Sequence, residues 1–159
     1  MADFGVTILG LEKLQAGVAA GPSSLAAGVR VAMTTGSLLI EGTARQRAPK
    51  DTGRLAGSIT HSITGSGANL TAKIGPSVTY GYWVEYGRAA GKMPPPSAAS
   101  LIGWARRHGN QNPYALAKAI GAHGTKKQPY LVPSFRLHEG RIKLLFEQAG
   151  VKVVARMAQ

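Results

Sequence analysis

Cysteine is absent and carboxylates are scarce: the chain has no Cys, and 7 Asp and Glu stand against 19 Lys and Arg in 159 residues. Without thiols there is neither a disulfide framework nor a thiolate metal site, a usage that suits a reducing cytoplasm. So few acids, widely dispersed, leave little material for chemistry that needs paired carboxylates. No apolar run reaches the roughly 18 residues of a membrane span, so a soluble chain with no membrane partner is expected. The opening Met1-Ala2-Asp3-Phe4 carries an acid where a signal peptide would carry positive charge, and Sec-type secretion is not expected.

What the chain does have is positive charge, a formal +12. Its distribution is uneven. Up to Thr43 the bases Lys13 and Arg30 meet the acids Asp3, Glu12 and Glu41, whereas everything from Ala44 onward is strongly basic. Such a field favours encounter with DNA, RNA, an anionic membrane or an acidic protein ring, and its sign alone does not choose among them. The length suits one domain over residues 1–159, able to bury roughly two thirds of its unfolded surface in a single core.

Periodicity predicts an α+β fold: a small antiparallel β-sheet, made of a hairpin plus an amino-terminal strand, packed by a long amino-terminal helix and a carboxy-terminal amphipathic helix. Phe4 to Gly10 reads as the short strand, followed by a helical turn through Leu11 and Leu14. Pro22-Ser23-Ser24 is a helix start. Leu25, Val29, Ala32, Met33, Gly36, Leu39, Ile40 and Thr43 then share one face, and Pro49 stops the helix near Ala48. In the hairpin, Ile59, His61 and Ile63 alternate against Leu70, Ala72 and Ile74 across the turn residues 65–69. Tyr80 to Gly87 fits both a strand and a short helix. Residues 88–96, rich in Gly and Pro, are expected as a projecting arm. Ser97 should cap a helix ending at Gly109, a second should run from Pro113 to about His123, and the last should start near Pro133. Its stripe is Phe135, Ile142, Leu145, Phe146, Ala149 and Val153, with Arg136, Arg141, Lys143, Lys152 and Arg156 largely off it.

Three patterns invite a catalytic or metal reading. Asp51-Thr52-Gly53 is the triplet on which aspartic proteases mount a carboxylate, but there it follows an apolar strand that buries two such groups together. Here it follows Arg47-Ala48-Pro49-Lys50, and a capping turn is expected, with Asp51 or Thr52 accepting from backbone amides. His61, His108, His123 and His138 are scattered, without zinc-ligand spacing. Gly121 to Lys126 lacks the glycine spacing of a phosphate loop, and no serine sits in a nucleophile elbow. The reading is therefore non-enzymatic, with no catalytic, metal or cofactor residues. The basic residues Arg45, Arg47, Lys50, Arg54, Arg106, Arg107, Lys126 and Lys127 cluster near turns and are candidate contacts to DNA or to an acidic partner. No sequence-reading DNA module is present, so the alternative function is a sequence-blind DNA-binding protein.

Three runs carry a likeness: Ala48-Pro49-Lys50-Asp51-Thr52-Gly53-Arg54-Leu55, then Val84-Glu85-Tyr86-Gly87, then Pro129-Tyr130-Leu131-Val132-Pro133. In this order and spacing, from about residue 22 to 150, the chain resembles the neck or tail-completion (head-tail joining) proteins of tailed bacteriophages with HK97-like heads. It departs from the usual pattern at Ala56, Arg88 and Ser134, where many members have a basic residue, Thr and Ala. The resemblance implies structural roles for Pro49, Asp51, Thr52, Gly53, Leu55, Val84, Glu85, Tyr86, Gly87, Pro129, Tyr130, Leu131 and Pro133. It also implies a virion protein made in the host cytoplasm and placed in the neck, at the head-proximal end of the tail. There it would form a homo-oligomeric ring, hexameric or dodecameric. The ring would contact a head-closure or connector protein and a tail terminator or tail tube, with phage DNA in the channel.

Overall fold

The computed structural model describes residues 6–7, 23–66, 69–91 and 95–157. The elements are β1 (Val6–Thr7), α1 (Ser23–Arg47), α2 (Arg54–Ser58), β2 (Ile59–Ser66), β3 (Asn69–Pro76), α3 (Gly81–Tyr86), α4 (Ala98–Arg107), α5 (Pro113–His123) and α6 (Leu131–Met157). The α+β architecture is as the periodicity predicts. Most of the expected Phe4–Gly10 strand, the turn through Leu11 and Leu14, Pro22, and residues 92–94 of the arm lie outside the described residues.

The sheet has three strands in the order β1-β3-β2, all antiparallel. In the hairpin, His61 lies opposite Ile74 and Ile63 opposite Ala72, so the two apolar sets share a face as alternation requires. Ile59, Leu70, Ala72 and Ile74 are buried, while Thr60, Ser62, Thr64 and Lys73 on the opposite face are exposed. Helix α1 lies over β2 and β3, and α6 packs along α1 and reaches β1.

Helix α1 spans 25 residues, about 37 Å at 1.5 Å per residue. It ends at Arg47, just before the residue that Pro49 holds out of helical geometry. Its buried stripe is Val29, Ala32, Met33, Ser37, Ile40, Glu41 and Ala44, with Gly36 also buried. Leu39 and Thr43, expected on the core face, are half-buried at its margin. The helices α1 and α6 run antiparallel: Gly28 meets Ala149, Gly36 meets Ile142, and Thr43 Oγ1 lies 2.6 Å from His138 Nε2. A Cβ at Gly36 would stand 3.1 Å from Ile142, so the missing side chain lets the two backbones approach closely.

Two boundaries differ from expectation. Residues 81–86 form a helix, because the 80–87 run turns back on itself: the Val84 amide donates to Tyr80 and the Gly87 amide to Trp83. Helix α6 begins at Leu131, two residues before Pro133. Pro133 fits there because the first-turn amides of a helix have no intrahelical acceptor, so its missing N–H costs nothing. Helices α4 and α5 start where the sequence suggests, with Ser97 accepting from Ser100 at 3.3 Å and Pro113 in the first turn of α5; Asn112, not foreseen as a cap, accepts from Ala115 at 3.0 Å. The two pack against each other as a hairpin at the side of the body. The described start of the expected arm is tied down: Arg88 and Thr125 exchange backbone bonds of 3.1 and 3.0 Å, and the Gly91 amide donates to Gly121 at 2.9 Å.

Candidate functional site: the junction of the three motifs

Two of the three sequence motifs meet in space. Val84 and Glu85 stand on α3, whose residues are brought beside the start of α6 by Gln128, donating its amide to the Val84 carbonyl at 2.8 Å. Glu85 is 1% exposed. Its Oε2 accepts from the amides of Tyr130 at 2.7 Å and Leu131 at 2.8 Å, and its Oε1 from Val132 at 3.0 Å. An acid from one element thus satisfies the orphan amides at the start of another and meets the positive end of its dipole.

The neighbouring motif residues serve this contact. Tyr130 is buried, its hydroxyl directed at the Gly81 carbonyl at 3.4 Å. Its phenol is pushed far above the ordinary range by burial, helped by the Glu85 charge. Tyr86, half exposed, is shifted the same way, again by burial first and Glu85 second. Leu131 is buried, Val84 packs on the core, Pro129 is exposed and Pro133 is half-buried in the first turn of α6. Gly87 (φ 76°, ψ 177°) occupies a region that only glycine enters freely, and a Cβ there would be 2.7 Å from the Thr125 carbonyl oxygen. Ser134 is buried and donates its hydroxyl to the Tyr130 carbonyl at 2.6 Å, so its polar atom is satisfied.

The remaining motif forms a different joint. Ala48 and Leu55 are buried in the core, and half-buried Pro49 links α1 to the turn. Gly53 takes a left-handed conformation (φ 76°, ψ −6°) at the start of α2, with no side-chain cap. The Thr52 hydroxyl accepts weakly from the Arg54 amide at 3.4 Å. The amide-accepting role expected of Asp51 or Thr52 thus falls to Thr52 alone, and not to Asp51. The left-handed Gly53 turns the chain between it and α2, and its carboxylate is instead held two-handed by Arg107 of α4, Nε donating to Oδ1 at 2.9 Å and an Nη to Oδ2. That guanidinium holds the Asp51 carboxyl below its usual value. Among the described residues no second carboxylate is placed to share a proton with Asp51.

The basic candidates divide. Arg45 is engaged inside the fold, donating to the Ile59 carbonyl at 2.7 and 3.0 Å and pairing with Glu41 at 2.6 Å. Arg107 is committed to Asp51. Arg47, Lys50, Arg54, Arg106, Lys126 and Lys127 are exposed. Sequence reasoning missed Glu41 and Ser37, buried polar groups on the apolar stripe of α1. Glu41 accepts from both Arg45 and His61, and Ser37 donates to the Met33 carbonyl at 2.8 Å. The available signal was their spacing, four residues apart on the face shared with Met33 and Ala44. Among the described residues no group of three or more His, Cys, Asp or Glu is placed to hold a metal ion, and no helix is long and apolar enough to cross a membrane.

No curated protein and no solved structure matches the chain. A family model described as "Bacteriophage HK97-gp10, putative tail-component" matches residues 12–87. Over this span, which holds the long helix, the Asp-Thr-Gly turn, the hairpin and the Val-Glu-Tyr-Gly run, the chain is similar to the HK97 gp10-like family.

Proposed function

We propose that the chain is a non-enzymatic structural subunit of the virion neck, joining the head connector to the tail and completing the tail end around the DNA channel. The observation that carries this reading is the use made of the motif residues. Glu85, Tyr130, Leu131 and Gly87 hold two elements together, and Asp51 holds a third, so the motif residues serve architecture. Reactive groups would need an open cleft and a substrate-facing nucleophile or acid. Here Glu85 is sealed from solvent and Asp51 is locked by an arginine.

The assembled form in this reading is a ring on the tail axis, six-fold to match the tail or twelve-fold to match the portal. Head-to-tail contacts close only when their rotation divides the circle. The chain suits such heterologous contact because its amino-terminal part is nearly neutral and the remainder strongly basic. Copies at +12 repel one another, so assembly waits for an acidic neighbour or for DNA to offset the charge. Imaging of particles that contain this chain tests the reading: density for it should form a ring at the head-proximal end of the tail. Particles that lack the chain yet join head to tail and infect normally would defeat it.

A further inference from the structure

From Tyr86 to His138 the chain contains no acid at all, while Arg88, Lys92, Arg106, Arg107, Lys118, Lys126, Lys127 and Arg136 fall within it. The α4–α5 hairpin lies inside this stretch, and the carboxylate nearest its Arg107 is supplied by the body, from Asp51. That ion pair brings the end of α4 against the turn 50–54, whose exposed cations Lys50 and Arg54 flank Asp51 in sequence. On the same end of α4 the Trp104 ring stacks on His108, centroids 4.0 Å apart and planes 13° from parallel, with Trp104 40% exposed. One aromatic and several cations therefore adjoin a single, already committed carboxylate.

We propose that this surface, formed by Trp104, His108 and the Arg107–Asp51 pair with Lys50 and Arg54, docks an acidic segment of a partner protein that also presents an apolar side chain. Charge complementarity selects the acidic partner, because one aspartate leaves most of the local positive charge unopposed. The exposed aromatic selects protein over nucleic acid. Trp and Arg are the residues on which protein interfaces concentrate their energy, and an indole already stacked on one face by His108 offers less to a base. Asp51 holds the Arg107 fork in a fixed geometry beside the Trp104–His108 stack.

The proposal deepens the assembly reading above by naming the partner's chemistry, and its test is independent of where the chain sits in the particle. In a Trp83→Phe background, Trp104 is the sole tryptophan and reports on the surface directly. The full chain is titrated at low salt with a labelled synthetic peptide of alternating Glu and Leu, with the same peptide carrying Gln for Glu, and with random duplex DNA. The Glu peptide should bind saturably and shift Trp104 emission, and the Gln peptide should bind at least about tenfold more weakly. Lys50→Glu and, read by peptide anisotropy, Trp104→Ala should each weaken binding about tenfold, whereas Lys143→Glu on α6 should leave it within about twofold. No saturable binding of the Glu peptide, or equal losses from Lys143→Glu, would overturn the proposal. So would duplex DNA that shifts Trp104 and responds to Lys50→Glu and Trp104→Ala as strongly as the Glu peptide. Should imaging place the chain elsewhere than the neck while the peptide behaves as expected, the surface stands and the neck assignment falls.

Discussion

Glu85 accepts the amide of Leu131 at 2.8 Å from across 46 residues of sequence, with the Tyr130 and Val132 amides on the same carboxylate. The contact joins a six-residue helix to the 27-residue helix that closes the fold. Removing an acceptor from buried donors costs more than the bond itself is worth, because the donors are left without water or partner. Glu85→Ala should therefore destabilise the chain by on the order of 3 kcal/mol, and Glu85→Gln, which keeps one carbonyl oxygen, by roughly half of that. Urea denaturation of the two variants measures both. Equal and small losses would mean that the junction contributes little to stability.

The Asp51–Arg107 pair is exposed, and its expected signature is local. The arginine lowers the folded-state pKa of Asp51 below the ordinary 3.8. A depressed acid contributes stability that is present above its unfolded pKa and lost as pH falls through the folded value. The tether of the α4–α5 hairpin should accordingly hold at neutral pH and loosen only below about pH 3.8. In hydrogen exchange at neutral pH, Asp51→Asn should raise exchange in α4 and α5 relative to α1. Asp51→Asn and Asp51→Ala should act alike, since Asn also lacks the charge. A capping Asp51, by contrast, would be rescued by Asn.

Reading the sequence recovered what is encoded locally. Alternation over 59–63 and 70–74 fixed the hairpin faces, Pro49 fixed the end of α1, and Ser97 and Pro113 marked the starts of α4 and α5. It did not recover the partners of Glu85 and Asp51, which lie 45 and 56 residues away and are brought close only by the fold. The motif residues were legible as structural through the family likeness, but their roles were not. Asp51 looked like a cap because Asp before a short helix usually is one, and the intervening left-handed Gly53 removed it from reach. The six residues of α3 are too few to show a helical period, and their aromatics suit a strand equally well.

The bridge between Arg88 and Thr125 is flanked by Gly87 (φ 76°, ψ 177°) and Gly124 (φ 71°, ψ −163°), both in a region essentially closed to other residues. A Cβ at Gly124 would fall 2.0 Å from the Arg88 carbonyl oxygen, on backbone that has no rotamer to yield. Gly53, at φ 76° and ψ −6°, has nothing within 4 Å of its Cβ position. Gly124→Ala should thus cost at least about 3 kcal/mol, while Gly53→Ala costs about 1 kcal/mol and Gly53→Asn less. Thermal melts of the three variants check the order, and a Gly124→Ala protein as stable as Gly53→Ala would show that the 88–125 bridge is not required.

The net charge predicts some affinity for duplex DNA at low salt, whose salt dependence would tell how much of the basic surface takes part. Each phosphate neutralised contributes close to −0.9 to the slope of log affinity against log salt. Of the basic candidates, Arg45 is spent on Glu41 and the Ile59 carbonyl, and Arg107 on Asp51. If the exposed Arg47, Lys50, Arg54, Arg106, Lys126 and Lys127 each met one phosphate, the slope would be about −5. These side chains sit on separate turns, so a rigid duplex should reach only part of the set and give a shallower slope than that. Arg45→Gln should leave the slope unchanged, and Lys126→Gln with Lys127→Gln should reduce it only if that turn faces the duplex. Binding titrations across a salt series decide the matter. A slope clearly steeper than −5 would mean that the duplex engages charges beyond these turns, and would revive a dedicated DNA-binding role over one in assembly.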